Sequence, residues 1–213
     1  MNAAGARRRM VERQLRARGI EDERVLDAMA EVPREEFVPA ELRGRAYADS
    51  ALPIGEEQTI SQPWIVAAIC QALELRGPEL ALEVGTGSGY SAAVLSLLAS
   101  HVVSVERHEE LSRNAERVLA SLGIRNVELV VGDGSLGVPE RGPFDAIAVH
   151  ATAPAPPPAL LAQLAEGGRL VVPVAAGDTD ALTLMRRRGE GYESEPISPC
   201  RFVPLIGEEG FGE

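Results

Sequence analysis

One run of residues, Glu83-Val84-Gly85-Thr86-Gly87-Ser88-Gly89, has the types and spacing to hold a ligand. It joins the apolar segment 80–84 (LALEV) to the segment 90–99 (YSAAVLSLLA). Glycines at such a junction let the backbone turn tightly and approach a bound group where a Cβ would clash. Glu106 lies 21 positions beyond Gly85, at the end of the next apolar run. A carboxylate there accepts hydrogen bonds from both ribose hydroxyls of a nucleoside. Asp133, within Gly132-Asp133-Gly134, follows a third apolar run and is placed to accept from an adenine amino group. Glycines alone mark only a tight turn. Three acids, one before the loop and one after each of two later strands, turn the reading toward a nucleoside site.

Two nucleosides compete for it. A dinucleotide loop has the form G-x-G-x-x-G and cradles a pyrophosphate, whereas this chain reads G-x-G-x-G with Tyr90 at the position of the third dinucleotide glycine. Glu83 would repel a pyrophosphate and attract an ammonium. S-adenosylmethionine carries an ammonium on its methionine moiety, beside a sulfonium. The residues expected to hold it are Glu83, Gly85, Thr86, Gly87, Ser88, Glu106, Asp133 and Gly134.

These positions need a framework. Apolar segments at 80–84, 102–106, 127–131, 144–149 and 169–174 alternate with helical segments at 90–99, 109–121 and 157–165. That alternation predicts an α/β fold, a doubly wound Rossmann-like sheet that is mostly parallel. Segments 181–187 and 199–205, with a turn at Gly189-Glu190-Gly191, predict an antiparallel pair at its edge. Ahead of the sheet, helices are expected over 6–18, 22–31 (capped by Asp22) and 62–73 (with Pro63 in its first turn). Residues 33–62 hold prolines and glycines with few periodic apolar positions, and are expected to lack regular structure. One domain is expected: an N-terminal helical and substrate part to 75, a cofactor core over 76–176, and edge strands from 177 to 213.

Composition narrows the partners. The 213 residues carry a formal charge of −11, which disfavours a phosphate backbone. The basic cluster Arg7, Arg8, Arg9, Arg13, Arg16 and Arg18 reads as the solvated face of a helix. Cys70 and Cys200 belong to no C-x-x-C pair, so free thiols and no metal are expected. No apolar stretch follows the N-terminal arginines and none reaches the ~20 residues of a membrane helix. A cytoplasmic monomer without membrane or nucleic-acid partners is the expectation.

Further motifs define a family resemblance. They are Leu52-Pro53-Ile54-Gly55, Gln58-Thr59-Ile60-Ser61-Gln62-Pro63, Pro143-Phe144-Asp145, Gly167-Gly168-Arg169-Leu170-Val171-Val172-Pro173-Val174 and Arg201-Phe202-Val203-Pro204-Leu205. With the loop ELALEVGTGSGYSAAVLS, the chain from about Met10 to Gly207 resembles the protein-L-isoaspartate O-methyltransferases. The stretch around Ser61 is specific to that family rather than to methyltransferases at large. The resemblance implies transfer of a methyl group from S-adenosylmethionine to the α-carboxylate of L-isoaspartyl residues in damaged proteins. It implies Ser61 as the active-site hydroxyl and Ile54, Thr59, Ile60, Arg201 and Val203 as substrate contacts. Locally, Ser61 also reads as a helix cap, Ile54 and Ile60 as core, and Arg201 as a surface arginine.

The acceptor's pKa of about 4 leaves it ionised at neutral pH, so the reaction requires no general base. The chain departs from the family pattern at Glu56 and Glu57, where glycines are usual, at Asp49-Ser50-Ala51-Leu52, and at His150, where threonine is usual; His150 is read as a variation at the pocket rim. His101 and His108 are given no chemistry, and Asp145 is read as structural. Three other readings stay open: a dedicated peptide acceptor, a dinucleotide-dependent oxidoreductase, and a cofactor-binding protein without catalysis. Residues 33–62 are expected to close over the substrate.

Overall fold

A computed structural model describes residues 2–212. Its centre is a seven-stranded sheet. The strands are β3 (Leu80–Val84), β4 (His101–Glu106), β5 (Val127–Val131), β6 (Phe144–Val149), β7 (Leu164–Ala176), β8 (Thr179–Arg188) and β9 (Gly191–Cys200). Their spatial order is β5-β4-β3-β6-β7-β8-β9, parallel from β5 to β7 and antiparallel beyond. Strands β1 (Leu52–Gly55) and β2 (Gln58–Ile60) form a separate antiparallel hairpin. The helices are α1 (Ala3–Met10), α2 (Glu23–Glu31), α3 (Pro63–Leu73), α4 (Tyr90–Ser96), α5 (Glu109–Ser121) and α6 (Pro158–Ala162).

Successive strand residues face opposite sides, so both faces of the central strands must be apolar to be buried. Ala81, Val102, Ala146, Ala148 and Val171 face one core, which also holds Met10, Leu15, Leu26, Ile69 and Val94. Leu82, Val103, Ile147, Val149, Leu170 and Val172 face the other, with Phe144 and Leu160. Small side chains meet the N-terminal helices and larger ones fill the opposite layer. Each fully buried Leu or Ile contributes about 1.5–3 kcal/mol. The first core runs from Met10 through the sheet to Leu184, so the N-terminal segment shares a hydrophobic core with the sheet.

The structure corrects several boundaries. The first helix begins at Ala3, capped by Asn2, whose side chain accepts from Gly5 N. It passes into a π turn at Val11–Leu15 and a 3-10 turn at Arg16–Arg18 before Gly19 ends it at φ 89°. Met10 before the π turn and Val11 and Leu15 within it are all buried. Residues 33–62 are not without regular structure. They contain 3-10 turns at Arg34–Phe37 and Ala40–Arg45 and then the β1–β2 hairpin. Helix α6 stops at Ala162 because β7 starts pairing at Leu164, opposite Phe144. The last strand is 191–200 rather than 199–205, since the chain reverses at Gly189 and pairs again at once, Arg188 opposite Gly191. Its polar run is that of an exposed edge strand, which hydrophobic periodicity does not reveal. Residues 203–205 instead run beside the end of β6, Thr152 N donating to Val203 O and Leu205 N to Thr152 O. Both cysteines are free, Cys70 buried. Asp145 accepts from Leu80 N, a structural role as read from sequence.

Glu56 and Glu57 form the hairpin turn, both left-handed at φ 48° and 57°. Such a conformation costs a non-glycine residue roughly 1–2 kcal/mol. Glycine's larger unfolded-state entropy offsets part of any gain from replacing one. Glu57→Gly is therefore expected to stabilise the protein by roughly 0.5–1 kcal/mol, a rise of about 1–4 °C in thermal midpoint. A calorimetric scan showing no rise would contradict the strain assigned to this turn.

Candidate active site

The strand order reverses beside β3, and the crevice at such a reversal is where open α/β sheets bind ligands. A cleft of about 840 Å³ opens there. Its floor comes from the ends of four parallel strands: Val84–Ser88 after β3, Val105–His108 at β4, Gly134 after β5, and His150–Ala151 after β6. Its other walls come from the hairpin and the residues that follow it, and from the segment after β9.

Gly85, Gly87 and Gly89 have φ of 92°, 52° and 85°. A Cβ on Gly89 would lie 3.0 Å from Ala115 Cβ, and one on Gly134 2.6 Å from Val84 Cγ1. These glycines are set by close approach as well as by turning. Gly85 N donates to Val105 O, which ties the loop to β4. Glu106 is buried at 6 % exposure, and its two oxygens accept from Gly87 N (2.8 Å) and His108 N (3.0 Å). The carboxylate is thereby aimed across the loop, with lone pairs left on each oxygen for a diol.

A polar chain runs behind the floor. Thr86 Oγ1 and Ser104 Oγ are 2.6 Å apart, and Ser104 Oγ donates to Glu83 Oε2 at 2.5 Å. Glu83 is fully buried and does not line the cleft directly. Its Oε1 has no hydrogen-bond partner among the described residues and lies 3.4 Å from His150 Nε2. His150 in turn meets Ser91 Oγ at 2.8 Å. Its side chain is only 7 % exposed, so it belongs to the wall and not to the rim.

Asp133 does not line the cleft either. Its carboxylate accepts from Ser135 N, Ser135 Oγ and Glu208 N, which binds the C-terminal segment. Partial burial pushes its pKa up, but these hydrogen bonds outweigh burial and leave it below the usual range. Its neighbour Gly134 does reach the cleft.

On the acceptor side Thr59, Ile60, Ser61, Arg201 and Val203 all line the cleft. Ile54 does not. It packs near Gly87, where a Cβ would lie 3.4 Å from Ile54 Cδ1, and so supports the loop from the hairpin. Ser61 is not the cap of α3: that position is Gln62, with no side-chain capping bond. The Ser61 hydroxyl makes no hydrogen bond with a described residue. Arg201 donates to Asp178 O and stays exposed.

Sequence reasoning missed Arg34 and the structural part of Arg18. Arg34 is fully buried, donating from Nε to Ala46 O and from Nη2 to Ser61 O. Burial lowers its pKa, opposed by Tyr90 and Tyr47. Arg18 lies at the cleft mouth, paired with Asp49 at 2.9 Å and stacked 5.1 Å over Trp64. A single arginine in an aperiodic stretch carries no local signal of burial.

A glycine cradle, a shielded acid at the ribose position and a buried acid with one unsatisfied oxygen fit a nucleoside that bears a cation. Fold and site together define a Rossmann-like methyltransferase that uses S-adenosylmethionine. The family model for protein-L-isoaspartate(D-aspartate) O-methyltransferase matches residues 6–210. A protein-L-isoaspartate O-methyltransferase of Koribacter versatilis is 50 % identical over 96 % of this chain and 92 % of its own length. Another, from Pelobacter propionicus, is 55 % identical over 95 % of this chain and 91 % of its own. A solved protein-L-isoaspartate O-methyltransferase superposes with TM-score 0.84 at 33 % identity, covering 95 % of this chain and 67 % of that one. A Plasmodium falciparum structure in complex with S-adenosyl-L-homocysteine gives TM-score 0.81 at 25 % identity, over 94 % of this chain and 98 % of that one. The chain belongs to the protein-L-isoaspartate(D-aspartate) O-methyltransferase family.

Glu106→Ala removes the charged acceptor at the ribose position and leaves Gly87 N without its partner. A hydrogen bond to a charged group contributes about 1.5–3 kcal/mol, so S-adenosylhomocysteine affinity is expected to fall roughly 10- to 100-fold by titration calorimetry. Unchanged affinity would remove Glu106 from the cofactor site.

Proposed function

We propose that this protein transfers a methyl group from S-adenosylmethionine to the free carboxylate of L-isoaspartyl residues in damaged proteins, the first step of their repair. The observation that carries this reading is the uncommitted hydroxyl of Ser61, which shares one cleft with the glycine loop.

The acceptor carboxylate, with a pKa of about 4, arrives ionised, so no residue has to remove a proton. When bound, S-adenosylmethionine supplies an electrophilic methyl group on a sulfonium. Gly85, Thr86, Gly87 and Ser88 form the cradle, Glu106 accepts from the ribose, and Gly134 admits the adenosine closely. Glu83, through its free oxygen and beside His150, offsets the ammonium charge. Asp133 holds the adenine side of the cleft in shape through its bonds to Ser135 and Glu208. Ser61 donates to the acceptor carboxylate and holds it in line with the methyl group. Orientation of this kind lowers a barrier by several kcal/mol. Thr59, Ile60, Arg201 and Val203 flank the peptide and limit water around charges that diminish in the transition state. The methyl ester then closes to a succinimide as the following backbone nitrogen displaces methanol.

A second reading keeps the cofactor and changes the acceptor to a dedicated peptide. It is motivated by Glu56 and Glu57, which stand exposed at the cleft. The net charge of −11 supports a protein without nucleic-acid partners. No helix among the described residues is long and apolar enough to cross a membrane. We place the protein in the cytoplasm as a monomer, a state that sedimentation tests directly.

Labelled methyl transfer to a short L-isoaspartyl peptide, with the aspartyl peptide as control, is expected to give base-labile label on the first alone. Label on neither, with cofactor binding intact, would favour the dedicated acceptor. Ser61→Ala is expected to slow turnover roughly 10- to 100-fold with cofactor affinity retained. Residues 33–62 are expected to gain hydrogen-exchange protection when cofactor product and peptide are both present. Unchanged exchange there would argue against closure.

A further inference from the structure

Arg34 carries a charge into the interior that the fold does not use as an ion pair. It is 0 % exposed, and among the described residues it forms no salt bridge. Its guanidinium lies 4.8 Å over the ring of Tyr90, the first residue of α4 after the glycine loop. Nε donates to Ala46 O at 2.7 Å and Nη2 to Ser61 O at 2.8 Å, while Nη1 has no hydrogen-bond partner. The Tyr90 ring is itself buried, held edge-on by Phe37 at 5.6 Å with its hydroxyl against Met29 Sδ.

Burying a cation is unfavourable unless it is well paired, and an apolar side chain of similar volume commonly serves the fold as well or better. What an apolar side chain or a lysine cannot do is donate along two fixed directions while lying flat on a ring. In this chain those features join the two halves of the cleft. The ring belongs to the helix that the cofactor loop opens, and the carbonyl belongs to the residue whose hydroxyl faces the acceptor. The peptide unit that Arg34 grips is the one between Ser61 and Gln62, immediately before α3.

We propose that Arg34 is a positioning residue for methyl transfer: lying on Tyr90 and holding the Ser61 carbonyl, it sets the Ser61 hydroxyl at a fixed place relative to the glycine loop. Arg34 touches neither cofactor nor acceptor and acts only through Ser61. The inference rests on the role assigned above to Ser61.

The test is a cycle of Arg34→Lys, Ser61→Ala and the double variant, assayed with S-adenosylmethionine and the isoaspartyl peptide. Lysine keeps the charge and can reach one carbonyl, not two. Arg34→Lys is expected to lower kcat by roughly 10-fold or more but by no more than Ser61→Ala does, with S-adenosylhomocysteine affinity within twofold of the wild type by calorimetry. Added to Ser61→Ala, the same change is expected to cost no more than threefold, because the hydroxyl it misplaces is already gone. A loss that multiplies fully in the Ser61→Ala background, or a kcat near wild type, would overturn the proposal. So would a cofactor affinity that falls in step with kcat, which marks a purely structural residue. Should Arg34→Lys fail to fold, Arg34→Met fills the same space without a charge. It is expected to be folded and slow, and full activity in it would equally overturn the proposal. A wild-type protein that methylates no isoaspartyl peptide removes the functional reading, and this inference with it. An active wild type with an equally active Arg34 variant removes this inference alone.

Discussion

The cleft exists because the backbone after β3 turns within five residues without a side chain in its way. Gly85, Gly87 and Gly89 all take left-handed conformations, and Gly89 brings the loop against Ala115 of α5. That turn is tied to β4 by the bond from Gly85 N to Val105 O, and its middle amide, Gly87 N, is held by Glu106. The acid that would bind a ribose is thus also the acid that shapes the loop. In the proposed site one carboxylate therefore serves both ligand recognition and loop geometry.

The acceptor side is built on the opposite principle. Little regular structure supports Ser61, and the two strands beside it are four and three residues long. Single side chains do the holding. Ile54 packs toward Gly87, Arg34 bonds the Ser61 carbonyl, and Gln62 bonds Asp49, which Arg18 also pairs. The same stretch is anchored from below by Phe37, Val38, Ala46, Leu52 and Ile60, which bury in the first core.

The chemistry suits such a frame. A carboxylate acceptor is already a nucleophile at neutral pH, so the proposed reaction asks the site for orientation and not for proton removal. His150, the histidine within the cleft wall, is engaged with Ser91 and lies against Glu83.

The fold class, the order of the elements in the core and the glycine loop were legible in the residues because they rest on local rules. Short continuous apolar runs mark buried strands, Asp22 caps a helix, and glycines mark left-handed turns. Edge strand β9 was misplaced because its polar residues face solvent and carry no apolar period. The residues at 33–62 concealed a hairpin whose two glutamates occupy conformations usually left to glycine. For the site, spacing after the glycine loop selected Glu106 and the family resemblance selected Ser61, and both line the cleft. Tertiary structure decided the rest: that Glu83 stands behind His150, that Ile54 supports the loop instead of lining the cleft, that Asp133 is bound to the C-terminal segment, and that Arg34 is buried beneath Ser61. Each of these is a contact between residues at least 27 positions apart, set by how the hairpin, the sheet and the C-terminal segment pack. Local sequence specifies which way a backbone turns; which side chain ends up against which is decided only when those surfaces close on one another.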